Sequence, residues 1–192
     1  MESVILNLSE STSFSDDELL ELCEANDWLR IERNKMGQLV IMSPSGSFTA
    51  NIHMKVYREL LRWMDKHEEL GYSFDSSAGF RLPDSSVLAA DFAFVYKQKW
   101  EALTREQQEK FAPVCPDFII EVRSKTDGLK QAKSKMQDWI DNGCRLAWLI
   151  DPTKQMAYVY VPNESPITKS FLEELNGLDV MPGLSLNLKL LK

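Results

Sequence analysis

The order of elements along the chain predicts a mixed α/β or α+β fold, a central mixed sheet flanked by helices. Two patterns carry that expectation. Ser86–Tyr96 and Phe118–Val122 are apolar runs without alternation, as strands buried on both faces require. Phe48–His67 and Leu129–Ile140 instead repeat apolar residues every three to four positions, which is one buried stripe of a helix. A chain of 192 residues, 44% hydrophobic and 27% charged, suits one domain better than two. One domain over 1–192 is therefore expected, with its core at about 42–161. An N-terminal helix and hairpin would occupy 15–42, and C-terminal strands 155–191.

Taken in order, Ser15-Asp16-Asp17-Glu18 has the spacing of a capping box and leads into Leu19, Leu20, Leu22 and Cys23, a short helix. Leu29–Arg33 and Gln38–Met42 flank Asn34-Lys35-Met36-Gly37 and predict a β-hairpin, with Ser43-Pro44-Ser45-Gly46 ending it. Ile52, Val56, Leu60 and Trp63 mark the buried face of the long helix. Tyr72–Asp75 and Ala78–Leu82 read as short strands, and Pro83-Asp84-Ser85-Ser86 as a turn. Trp100–Lys110 is polar and helix-prone. Leu129, Ala132, Met136, Trp139 and Ile140 define a second helix closed by Asn142-Gly143. Arg145–Ile150 and Met156–Val161 are strands, and Val180–Leu191 holds a Pro-Gly turn and a last alternating strand.

Composition narrows the function. With 22 basic and 29 acidic residues the net charge is −7, which argues against a protein that coats nucleic acid through bulk electrostatics. The segment Arg123–Lys135 runs the other way, setting Arg123, Lys125, Lys130, Lys133 and Lys135 against Asp127 alone. That cluster suits a phosphate-bearing substrate, although solvated helix faces often look the same. The N-terminus has no basic region followed by a cleavage site, and no run reaches membrane-spanning length, so a cytoplasmic protein is expected. Cys23, Cys115 and Cys144 are odd in number and lack CxxC spacing, which predicts reduced thiols, no disulfide and no zinc.

Both buried runs carry a single carboxylate, Asp91 in the first and Glu121 in the second. A buried carboxylate needs a cation, a proton or a partner, and two of them suggest a divalent-metal site. Magnesium takes one or two carboxylates and completes its shell with water and phosphate oxygens. With a nearby lysine such a pair makes a minimal phosphodiesterase site. Lys135 and Lys133 border opposite edges of the helix stripe, and periodicity alone does not choose between them. Other acids fit simpler roles: Asp117 a strand start, Asp127 a helix N-cap, Glu59 a solvated helix face. The two histidines, His53 and His67, are too few for a His-rich metal site.

Several segments together resemble the Uma2 family of restriction-endonuclease-like proteins, also known as DUF820. They are Phe74-Asp75-Ser76-Ser77-Ala78-Gly79-Phe80, Ala90-Asp91, Trp100-Glu101-Ala102-Leu103-Thr104, Cys115-Pro116-Asp117-Phe118-Ile119-Ile120-Glu121-Val122-Arg123-Ser124, Lys135-Met136-Gln137, Asp141-Asn142-Gly143, Trp148-Leu149-Ile150-Asp151-Pro152 and Met181-Pro182-Gly183. The resemblance runs from about Met42 to the C-terminus. It implies a restriction-endonuclease-like core of the PD-(D/E)XK superfamily and a DNA endonuclease dependent on Mg²⁺ or Mn²⁺. Asp91 would be the aspartate of the first motif, with Ala90 where Pro is frequent, and Asp91 and Glu121 the metal ligands. Glu121-Val122-Arg123 would be the (D/E)XK segment, with Arg in place of Lys and Lys135 supplying the lysine from the following helix. Arg123 is too basic to act as a base and would be limited to orienting or neutralising phosphate. Duplex cleavage further implies a homodimer, because two strands need two symmetry-related sites. The alternative is a non-catalytic binding or regulatory module on the same fold, as the acidic charge and Arg123 would allow.

Overall fold

A six-stranded mixed sheet lies between two helices, and a smaller five-stranded sheet from the N-terminal half abuts one end of it. The structure is a computed structural model that describes residues 4–8, 14–42 and 45–192. Ser43 and Pro44 of the turn expected after the hairpin lie outside them. The elements are β1 (Val4–Leu6), α1 (Asp16–Glu24), β2 (Arg30–Arg33), β3 (Leu39–Met42), α2 (Ser47–Met64), β4 (Gly71–Asp75), β5 (Phe80–Arg81), β6 (Val87–Leu88) and β7 (Phe92–Tyr96). They continue with α3 (Lys97–Glu101), α4 (Arg105–Glu109), β8 (Phe118–Val122), α5 (Leu129–Asp141), β9 (Leu146–Asp151), β10 (Met156–Tyr160), β11 (Ile167–Ser170), β12 (Glu174–Asn176) and β13 (Ser185–Asn187). Among the described residues no helix is long and apolar enough to cross a membrane.

The main sheet runs β11-β10-β9-β8-β7-β4. Its β8–β9 pair is parallel and every other pair antiparallel. A parallel pair needs a crossover, and α5 is that crossover. Alternation along β8 divides the core. Phe118, Ile120 and Val122 pack with Ile52, Val56, Leu60 and Trp63 of α2, while Ile119 packs on the opposite side with Met136, Trp139 and Ile140 of α5. Both helical stripes are buried where the periodicity puts them.

The hairpin turn is built by Asn34, whose Oδ1 accepts from the N–H groups of Met36 and Gln38 at 3.0 Å, with Gly37 at φ +77°. The Ser15 capping box is present, its Oγ accepting from Glu18 N at 3.2 Å. The polar excursion folds as α3 and α4, the latter capped by Thr104.

One expectation is corrected. Ser86–Tyr96 is not one continuous strand but two, β6 in the small sheet and β7 in the main sheet, with Ala89–Asp91 as the crossing point. The reason is that side chains replace ladder partners there. Ala89 N donates to Glu32 Oε1 at 3.0 Å, Ala89 O accepts from Arg30 and Lys135, and Asp91 O accepts from the Tyr57 hydroxyl. The C-terminal run is likewise shorter than its alternation suggests. β13 ends at Asn187 and Leu188–Leu191 turns into a 3-10 helix that buries Leu188 and Leu191.

Candidate active site

The β7–β8 ladder pairs Phe92 with Ile120 and Ala93 with Ile119, so one step further the register sets Asp91 opposite Glu121. Val122 N donates to Asp91 Oδ2 at 2.8 Å and fixes that carboxylate against the end of β8. Glu121 shares its side of the sheet with Ile119 and faces α5. From the second turn of that helix Lys135 reaches back, and its Nζ lies 2.7 Å from Glu121 Oε1. Lys133, left equivalent by periodicity, instead sits over the Tyr158 ring at 3.9 Å, and Lys130 is exposed.

The N-terminal hairpin adds two more charges. Arg30 and Glu32 alternate to the same side of β2. Arg30 Nη1 is 3.2 Å from Asp91 Oδ1, and its Nη2 donates to Ala89 O at 3.0 Å. Glu32 Oε1 accepts from Lys135 Nζ at 2.8 Å. On the other flank α2 brings His53, with Nε2 3.5 Å from Asp91 Oδ2, and Tyr57. Burial pushes the Tyr57 phenol up to about 12, which keeps it a donor.

Three acids, Asp91, Glu121 and Glu32, thus face two permanent cations, Arg30 and Lys135. Burial first, then the like charges of Asp91 and Glu32, raise the Glu121 carboxyl to about 7 against the pull of Lys135 and Arg30. Burial opposes charge on Lys135 too, but Glu121 and Glu32 outweigh it and hold the ammonium above the ordinary lysine range. In this arrangement Lys135 is a donor and a positive charge, not a base.

Arg123 is not brought to this group. Its Nη2 lies 2.8 Å from Asp151 Oδ1, and its Nη1 donates to the carbonyls of Ser124 at 3.1 Å and Asp127 at 2.7 Å. Against the expected phosphate contact, both Nη atoms of Arg123 are engaged, with Asp151 and with the loop after β8. Asp117 also lies apart. It is buried, accepts from Tyr96 N at 3.0 Å and pairs with Lys99 at 2.8 Å. Asp127 caps the 124–127 turn through Ser124 N at 2.9 Å, and Gly128 takes the N-cap of α5. Glu59, expected on a solvated face, is instead half-buried beside the α2 stripe and pairs with Arg62 at 2.8 Å.

The donor set can be tested for a cation. Among the described residues no three His, Cys, Asp or Glu side chains converge as a ready ligand cluster. A hard ion such as Mg²⁺ asks for less, one or two carboxylates with water completing its shell. Asp91 and Glu121 meet that requirement, and His53 Nε2 is buried without a hydrogen-bond partner. The surplus of carboxylates over cations in the group fits a divalent cation.

A family model, Uma2, described as "Putative restriction endonuclease", matches residues 16–189. The chain belongs to the Uma2 family. Solved structures similar to this Uma2 chain include that of a "putative nuclease belonging to DUF820" from Anabaena variabilis, at 19% identity and a TM-score of 0.75, covering 93% of this chain and 97% of that one. At that identity the likeness shows a shared fold. No curated protein matches the sequence.

Four residues of the candidate site escape sequence reasoning: Arg30, Glu32, His53 and Tyr57. Arg30 and Glu32 read as ordinary hairpin residues, and only the packing of the small sheet buries Glu32 and sets Arg30 beside Asp91. A signal was present in His53 and Tyr57, four apart on the edge of the α2 stripe.

Proposed function

We propose that this Uma2 protein is a divalent-metal-dependent endonuclease that hydrolyses DNA phosphodiesters, with Asp91, Glu121 and Lys135 as its working residues. The observation that carries the reading is the meeting of Lys135 with Glu121 at 2.7 Å, with Asp91 opposite Glu121 in the register. Two carboxylates on adjacent strands and an ammonium from the crossover helix form the constellation that phosphodiester hydrolysis needs.

Asp91 and Glu121 would hold Mg²⁺ or Mn²⁺, which when bound polarises the phosphate and lowers the pKa of an attacking water. The remaining work falls to the chain. Val122 N and Arg30 keep the Asp91 carboxylate oriented, and Lys135 donates to phosphate oxygen or nucleophile and offsets the charge that develops there. Glu121, with its carboxyl near 7, is fully ionised only above neutrality. Cleavage of both strands of a duplex would call for a homodimer. Lys135 brings from the crossover helix the positive charge that Arg123, paired with Asp151, does not bring to the group.

The test is relaxation of supercoiled plasmid in Mg²⁺ or Mn²⁺ at low salt. Wild type is expected to nick, with Glu121→Ala and Lys135→Ala each slower by about 10³-fold, roughly 4 kcal/mol of barrier. No nicking by folded, metal-binding wild type would overturn the nuclease reading and favour a non-catalytic module on the nuclease fold.

A further inference from the structure

Lys135 has three oxygens around its ammonium, and two of them do not come from Glu121. Glu32 Oε1 and Ala89 O each lie 2.8 Å from Nζ. Glu32 is itself fixed: its side chain is 5% exposed and the same Oε1 accepts from Ala89 N at 3.0 Å. Glu32 and the Ala89 peptide therefore form a closed seat for the ammonium, built by the N-terminal hairpin against the point where the chain crosses between sheets.

The seat answers a physical problem in the site. A divalent cation on Glu121 repels the ammonium that Glu121 attracts, and lysine is a long flexible side chain that would swing to solvent. An anchor independent of Glu121 is needed to keep it.

We infer that Glu32 is a positioning residue for Lys135, retaining the ammonium in the site once a divalent cation takes the Glu121 carboxylate. The inference rests on the metal-dependent nuclease reading. It makes the hairpin a working part of the site. Arg30, two residues earlier, does not share the task, because its contacts are to Asp91 and the Ala89 carbonyl and it carries the same sign as Lys135.

The decisive measurement is the ¹⁵N–¹H spectrum of lysine ammonium groups in the full chain, with the Lys135 signal assigned by its loss in Lys135→Met. In wild type a protected Lys135 signal should persist with and without Mg²⁺. In Glu32→Gln, which keeps an acceptor for Ala89 N but loses the charge, the signal should vanish when Mg²⁺ is added. A Lys135 signal that survives Mg²⁺ in Glu32→Gln, or that is absent from wild type, overturns the inference. Plasmid cleavage gives a second reading: Glu32→Gln should slow nicking about 10–100-fold in the wild-type background and change nothing further in Lys135→Met. An additional loss in Lys135→Met would mean that Glu32 acts by another route. If Glu32→Gln does not fold, Glu32→Asp, which withdraws the carboxylate by one methylene, takes its place with the same outcomes. Wild type that never nicks but shows the expected spectra would defeat the nuclease reading and leave the positioning role standing.

Discussion

Two ion pairs stand two residues apart at the end of β8, and they are built on opposite principles. Arg123–Asp151 is sealed, with side chains 7% and 0% exposed, and Arg123 spends its other donors on backbone carbonyls of the following loop. Glu121–Lys135 is partly open, 16% and 20% exposed, and each member is shared with charges from other elements. The sealed pair has its charges matched one to one. The open pair sits among more acids than cations: burial first, and then those acids, lift the Glu121 carboxyl, and attraction remains for one more positive charge. Nearness in sequence to Glu121 therefore does not decide which charged residue joins the candidate site; the side-chain partners that packing brings to each residue do.

The sharpest way to break this contrast is to damage the sealed pair. Arg123→Met strands Asp151, a fully buried carboxylate, and should cost roughly 3–5 kcal/mol of stability in urea unfolding. Nicking per folded molecule should be unchanged at low temperature. A large loss of nicking with stability intact would return Arg123 to the site.

A smaller effect lies in the pH response of the open pair. Glu121 has a folded-state carboxyl raised from the ordinary 4.5 to about 7, so between those values the folded protein binds more protons than the unfolded chain. The sign is then fixed: the Glu121 contribution is most favourable below about 4.5 and declines as pH rises to about 7. Wild type should lose on the order of 1–3 kcal/mol over that window relative to Glu121→Gln, measured as the difference between their urea-unfolding curves. Mn²⁺ affinity should move the other way, rising with pH up to about 7 because the ligand must shed its proton, and then levelling off. Parallel pH curves for wild type and Glu121→Gln would show that Glu121 is not held this way.

The smallest expected effect separates the two lysines that border the α5 stripe. Lys133→Ala removes the cation over the Tyr158 ring and should cost about 0.5–1 kcal/mol, with nicking unaffected. Any marked loss of nicking would blur the line between Lys133 and Lys135.

Much of this was legible in the linear sequence because it depends on neighbours in the chain. Unbroken apolar runs gave the central strands, apolar residues three and four apart gave both packing helices, and the Ser15 and Asn34 motifs gave a cap and a turn. Asp91 and Glu121 announced themselves as single acids inside those runs, and the family resemblance added Lys135 on the next helix. None of that could show that Ser86–Tyr96 divides between two sheets at Asp91, that Arg123 turns to Asp151, or that Arg30, Glu32, His53 and Tyr57 close around the Asp91, Glu121 and Lys135 group. Those outcomes depend on partners 28 to 103 residues away in sequence, such as Asp151 for Arg123 and Lys135 for Glu32. The sequence by itself determined which residues could not face water comfortably. Tertiary structure alone decided which opposite charges they met, because burial makes a carboxylate need a partner and only the packing of separate elements supplies one.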